Sequence, residues 1–206
     1  MPDRKQSILD AALALADEQG LAAVSMRAVA ERAGITAMAL YPYVGSKAEL
    51  LDEMVGRLLT ELLPDAAPGQ DWWQRLSALG RAARLLTHRH PWAASLLFSR
   101  PSVTPDAARV VDLLYQALLD AGVPAAQVPR LERLVSTFIL GYAASEVGGR
   151  FDNAASAPRA RRTPLPDRTL PAHEALARWL TRPVDWDAEF EAGLGDLRRL
   201  IEAAAG

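Results

Sequence analysis

Apolar residues recur along this chain at intervals of three and four, and no stretch alternates apolar and polar β-branched residues as a half-buried strand would, so the pattern predicts helices throughout. Ile8, Ala12, Leu15 and Ala16 mark one face of a first helix, with Gly20 as its stop. Ser25 is placed to cap a short helix running to about Ala33. Gly34 ends that helix, Thr36 caps the next, and Pro42 lies near that one's end. Ser46 with Glu49 three residues on reads as a capping box. It opens a helix whose apolar face is Leu50, Leu51, Met54, Leu58 and Leu62, stopped by Pro64.

Residues 64–70 hold two prolines and a glycine and form the first credible domain boundary. Asp71 caps a long helix carrying Trp72, Leu76, Leu79, Ala83 and Leu86, and Pro91 opens a shorter one to about Ser99. Further helices are predicted over 105–121, ending at Gly122, and over 124–147, where Leu131, Leu134, Val135, Phe138, Ile139 and Tyr142 share a side. Periodicity is lost over 148–170, a Gly-, Pro- and Arg-rich stretch that reads as a mobile loop. Two helices close the chain, over 172–180 and 185–203; the second bears Trp186, Phe190, Leu194, Leu197 and Ile201 as a stripe. The expected fold class is all-α. A three-helix helix-turn-helix domain spans 1–63, with the motif over 25–44, and a larger helical domain spans 71–206.

Composition narrows the function. With 206 residues, half of them hydrophobic and 23% charged, the chain has the balance of an ordinary globular protein. No apolar run reaches the roughly 18 residues that a membrane helix needs, and no signal-peptide core follows the charged start, so a cytoplasmic location is expected. The absence of cysteine excludes disulfides, thiol catalysis and cysteine-based metal sites. A net charge of −2 argues against non-specific coating of nucleic acid. A specific reader needs only a few cations at its contact face.

Two short helices joined by a glycine turn have helix-turn-helix dimensions. Gly34 suits a turn position of positive φ, Ala30 is small where the helices cross, and Val29, Ile35 and Leu40 are the expected core plugs. From Ile8 through Leu13, then Gly20, Ser25 to Ala30, Ala33 to Tyr41, Tyr43-Val44 and Ser46 to Leu51, the sequence resembles the tetracycline-repressor (TetR) family in order and spacing. The resemblance implies a DNA-binding transcriptional regulator acting as a repressor. Thr36, Ala37 and Met38 would open the recognition helix at the base edges, and Tyr41 and Tyr43 would meet phosphate and sugar. Lys47 falls on the family's phosphate-binding lysine at a helix N-terminus. Arg27 and the Arg4-Lys5 pair are further phosphate candidates. Ala37, Met38 and Ala39 offer bases no strong hydrogen-bonding side chain, so readout is expected to lean on thymine methyls and DNA shape.

Beyond residue 71 the resemblance is looser, carried by His90-Pro91-Trp92, Leu96-Leu97, Ser99 to Pro101 and the Phe138–Glu146 helix. It implies a homodimer in which the 124–147 and 185–203 helices pair with their twins, with Leu131, Val135, Phe190, Leu194, Leu197 and Ile201 as the dimer residues. Gly193 and Gly195 would permit close helix approach. The alternative is that these stripes are intramolecular core. The resemblance together with composition also implies a small, largely apolar effector, with Leu86, His88, Trp92, Leu96, Tyr115, Phe138 and Tyr142 as candidate ligand residues. Trp72, Leu76, Leu114, Thr137 and Glu146 are further candidates. Ligand would favour a conformer whose recognition helices no longer match successive major grooves, releasing a palindromic operator.

No nucleophile elbow, P-loop or dinucleotide fingerprint is present, and Gly193-Leu194-Gly195 sits in a helical pattern. His88 and His90 are two apart, so on a helix they face different sides, which is wrong for joint metal ligation. No metal, cofactor or catalytic residue is therefore assigned, and the chain is read as a regulator rather than an enzyme. Two alternatives stand beside the ligand-gated regulator. One is a DNA-binding protein answering to a protein partner or to nothing; the other is an enzyme using the C-terminal cavity with His88.

Overall fold

The computed structural model describes residues 4–63, 69–100, 104–151, 170–180 and 182–206. Every regular element among them is helical. The N-terminal part holds α1 (Arg4–Gln19), a 3-10 turn (Leu21–Ala23), α2 (Met26–Arg32), α3 (Ala37–Val44) and α4 (Lys47–Thr60). The rest holds α5 (Trp72–Arg89), α6 (Ala93–Ser99), α7 (Pro105–Asp120), α8 (Val128–Val147), α9 (Pro171–Leu180) and α10 (Trp186–Ala205).

The starts are set by side-chain caps where the sequence offers them. Ser25, Thr36 and Thr104 each accept the amide three residues on, at 3.2 Å. Asp71 and Gln74 form the reciprocal pair of a full capping box. At α4 the expected capping box is only half made. Ser46 accepts the Glu49 amide, but its hydroxyl donates to the Glu49 carboxylate at 2.9 Å, so that carboxylate does not reach back to the backbone.

Three boundaries differ from the sequence pattern. α8 begins at Val128 rather than 124, because residues 124–127 close a tight turn of their own (Gln127 amide to Pro124 carbonyl, 2.8 Å) and Pro129, lacking an amide, fits only the helix's first turn. α6 likewise begins after a turn, Ala93 donating to His90. At the start of the predicted mobile loop, Gly149 and Arg150 donate back to Glu146 and Ser145, and Phe151 stacks on Trp186 with ring centres 4.4 Å apart. Residues 148–151 are therefore held; residues 152–169 of that loop lie outside the described residues.

In the N-terminal part, α2 and α3 cross over α1, burying Val29, Ala30 and Leu40 against Ile8, Ala12 and Leu15. The turn between them closes through a residue in the left-handed region. Gly34 takes φ +68°, its amide donating to Glu31 and that of Ile35 to Ala30. This αL closure satisfies two carbonyls at the end of α2, and a Cβ there would be strained. α4 then turns away from α3 and packs on both α6 and α7, so the buried residues of both halves form one continuous core.

Polar contacts tie the halves as well. On α1, Asp17 Oδ1 accepts the Trp92 indole N–H at 2.6 Å and lies 2.6 Å from His90 Nδ1. Arg89 reaches Glu61 at 3.2 Å, and Arg100 holds the first turn of α4. On the far side, α5, α8 and α10 meet around Arg84. It grips Glu146 through two nitrogens (2.7 and 2.5 Å), reaches Asp187 at 2.7 Å and lies over the Phe190 ring.

Candidate nucleic-acid interface and effector cavity

The second helix of the motif, α3, buries Leu40 and Val44 and turns its other side outward. Met38 is 78% exposed, Tyr41 47% and Tyr43 40%. Large apolar side chains presented together on one short helix mark a binding surface. Thr36 is exposed beside them while its hydroxyl caps the helix, and Ala37 is half-buried against the core. Pro42 lies in the last turn of α3, and having no amide it leaves the Met38 carbonyl without its helical partner.

The cations differ in availability. Arg27 and Lys47 are exposed and have no ion-pair partner among the described residues. Lys47 opens α4, where a positive charge opposes the helix dipole by a few tenths of a kcal/mol. A phosphate seated there reverses that sign, since it meets both the ammonium and the free amides. Lys5, by contrast, pairs with Glu53 at 2.8 Å and joins α1 to α4.

Two comparisons with protein-family models match this architecture. Residues 8–54 match the bacterial regulatory proteins of the tetR family, and residues 63–201 match the tetracyclin repressor-like C-terminal domain. The chain belongs to the TetR family of transcriptional regulators. An HTH-type transcriptional regulator from Saccharopolyspora erythraea is 29% identical over 202 residues, covering 98% of this chain and 86% of that protein. ActR from Streptomyces coelicolor, solved with (S)-DNPA, superposes with a TM-score of 0.82 at 27% identity over the whole of both chains. The BioQ structure with its double-stranded DNA operator shares the fold, with a TM-score of 0.69 at 23% identity, covering 97% of this chain and 98% of that one.

Within this TetR-family chain, a cavity of about 310 Å³ opens between α4, α5, α6, α7 and α8. Leu59 of α4, Leu62 in the turn after it, and Leu79 and Ala83 of α5 line it on one side. Leu97 and Phe98 of α6, Val110 and Leu114 of α7, and Ile139 and Leu140 of α8 complete the apolar wall. Arg100, Glu132, Ser136 and Thr137 supply its polar groups. None of the seven candidate ligand residues named from sequence lines this cavity. On α5 the cavity ends at Leu79 and Ala83, and Leu86, one turn further along the same face, is packed into core, as is Leu96 beside the lining Leu97. Tyr115 packs half-buried against the core, and Trp92 is spent on Asp17. Phe138 and Tyr142 belong to an aromatic cluster with Phe190, and the Tyr142 hydroxyl donates to the Trp186 carbonyl at 2.8 Å. Leu114 and Thr137, further candidates, do line the cavity; Trp72, Leu76 and Glu146 do not.

His88 lies instead in a separate, open groove with Arg84, its Nε2 2.9 Å from Glu146. The Arg84 guanidinium, with His88 adding to it, holds the Glu146 carboxyl below its ordinary range, while burial pushes the Tyr142 hydroxyl up. The two histidines serve different partners, His88 joining α5 to α8 and His90 meeting Asp17.

The six expected dimer residues also need correction. Leu131, Val135, Phe190, Leu194, Leu197 and Ile201 are all buried within the single chain. They are the intramolecular core between α8, α10 and α5, and a side chain already covered by its own chain has no area left for a twin. Other faces of the same helices carry Leu134 and Leu200, which are 40% and 41% exposed. Of the two glycines in α10, Gly193 is packed closely within the chain and Gly195 is not. A Cβ on Gly193 would lie 2.4 Å from Phe138 Cζ, whereas at Gly195 the nearest atom is 3.9 Å away.

Proposed function

We propose that this regulator is a repressor that binds a palindromic operator as a homodimer and releases it when a small, largely apolar ligand fills the cavity between α4 and α8. The carrying observation is the outward face of α3, where Met38, Tyr41 and Tyr43 stand exposed next to an unpaired Lys47. In this reading Thr36, Ala37 and Met38 meet base edges, and Tyr41, Tyr43, Lys47 and Arg27 hold the backbone. Residues 1–63 form the DNA-reading unit and 71–206 the dimerising and sensing one. The exposed Leu134 and Leu200 support pairing through the outer faces of α8 and α10. A ligand is supported by the cavity's apolar wall and by ActR, which is 27% identical over its full length and has been solved with (S)-DNPA and with actinorhodin.

The test is selection of bound duplexes from a random DNA library at fixed salt, with Tyr41→Ala run in parallel. Enrichment of a palindrome by the parent and not by the variant is expected, with half-sites about one helical turn, roughly 34 Å, apart or a multiple of that. Enrichment of the same site by a folded Tyr41→Ala would show that the assigned surface is wrong.

A further inference from the structure

Met38 stands in the first turn of α3 and, at 78% exposed, is the most open large hydrophobic side chain among the described residues. The other methionines are placed differently. Met54 is fully buried, Met26 is half-buried against the core, and Met1 lies outside the described residues. No cysteine anywhere in the sequence competes for an oxidant, so an exposed thioether is the group a mild oxidant meets first. Met38 also has little company at the reading end of the helix. Ala37 and Ala39 carry only methyl groups, and the Thr36 hydroxyl is occupied in accepting the Ala39 amide. Its flexible, polarisable side chain is the one large outward group of that turn, and it suits the methyl of a thymine. Oxidation to the sulfoxide puts a strong dipole and a hydrogen-bond acceptor on that contact. Pressed against a base methyl, the new oxygen loses its water and finds no donor. In the free protein the same oxygen stays in water, so the fold is untouched.

We propose that Met38 is an oxidation site through which a hydroperoxide weakens operator binding, independently of any ligand in the cavity. The proposal rests on α3 being the DNA-reading helix. In the step itself, a lone pair of the Met38 Sδ attacks one oxygen of hydrogen peroxide. The S–O bond forms as the O–O bond breaks, and the proton of the transferred oxygen passes to the departing hydroxide, giving water. The sulfur loses two electrons and the peroxide gains them. Operator seated on α3 covers the sulfur, so the free regulator is the form that reacts. Reduction by methionine sulfoxide reductases returns the thioether, which makes the change reversible.

The experiment treats the full chain with millimolar hydrogen peroxide in the presence of N-acetylmethionine amide as an internal reference, and stops the reaction with catalase. Sulfoxide at each methionine is measured by peptide mass spectrometry, and operator affinity by fluorescence anisotropy on the selected duplex. Met38 should oxidise at close to the rate of the free amide while Met54 stays reduced. Operator affinity should fall roughly tenfold as the Met38 sulfoxide accumulates, with Tm unchanged. Incubation with reductases of both stereospecificities should restore it. Met38→Leu, compared only with its own untreated sample, should lose nothing on treatment. Full conversion of Met38 with undiminished affinity overturns the proposal, and this reading needs no variant. So does oxidation of Met38 far slower than the free amide, or an equal loss of affinity in Met38→Leu. Repeating the oxidation with bound operator separates two failures. If operator protects Met38 and an unrelated duplex does not, α3 remains the reading helix and only the oxidation response falls. If operator gives no protection, the contact of Met38 with DNA falls too.

Discussion

Arg84→Met is the sharpest structural test of what holds the C-terminal helices in register. Arg84 joins α5 to α8 through Glu146 and to α10 through Asp187, and its guanidinium lies 5.0 Å from the centre of the Phe190 ring. The two ion pairs are unequal. Asp187 is 86% exposed, so its share is screened and worth about 0–1 kcal/mol. The Arg84 and Glu146 side chains are only 15% and 12% exposed, and breaking such a pair strands a carboxylate away from water. Removing one partner of a fully buried pair costs about 3–5 kcal/mol. His88 remains 2.9 Å from Glu146, and methionine keeps the packing of the arginine stem, so a loss of roughly 2–3 kcal/mol is expected. For a chain of this size that lowers Tm by about 4–12 °C. The assay is thermal and urea unfolding at one fixed protein concentration, since dimerisation would make Tm concentration-dependent. Replacing both partners with apolar residues, Arg84→Met with Glu146→Leu, should recover most of the loss, because no charge is then left buried. A single variant within about 0.5 kcal/mol of the parent, or a double variant no better than the single, would refute the reasoning.

Three further outcomes follow from the same geometry. Stability should depend on acid pH through Glu146: its carboxyl is held below the ordinary range, so its stabilisation is present at neutral pH and is lost as pH falls through the lowered value. Glu146→Gln should therefore be less stable than the parent at pH 7, with the gap closing below pH about 4; a constant gap in a pH series of melts contradicts this. Gly193→Ala gains about 1 kcal/mol of helix propensity but drives a methyl to 2.4 Å from Phe138 Cζ, and overpacking of about 1–3 kcal/mol should win. A rise in Tm would show that the Phe138 ring yields freely, and Phe138→Leu in the same chain should rescue the loss. Lys47→Gln should flatten the salt dependence of operator binding by about 0.9 in log K against log salt per lost phosphate contact, or about 1.8 for a dimer. An unchanged slope in anisotropy titrations at several salt concentrations would remove Lys47 from the interface.

The sequence by itself determined what depends on near neighbours. Helical period, caps at Ser25, Thr36 and Asp71, and the αL turn at Gly34 are local matters of dihedral angle and of amides three or four residues apart, so those elements stand where the pattern puts them. The helix-turn-helix was legible for the same reason, since its whole core lies within about one stretch of chain. The apolar stripes on α8 and α10 were equally legible, but not which partner covers them. Periodicity tells that a face is buried and is silent on whether its own chain or a twin does it, and here Leu131, Val135, Phe190 and Leu194 are covered by their own chain. The cavity was beyond reach because its extent along each helix, as well as the face it meets, is set by how the helices cross. On α6 Leu97 lines it and the neighbouring Leu96 does not, while on α5 Leu79 and Ala83 do and Leu86, further along the same face, does not. Arg84 with Glu146, 62 residues apart, and Arg100 with Asp52, 48 apart, come together only when helices pack. Side-chain spacing along a helix fixes its faces; only the crossing of helices decides what each face meets.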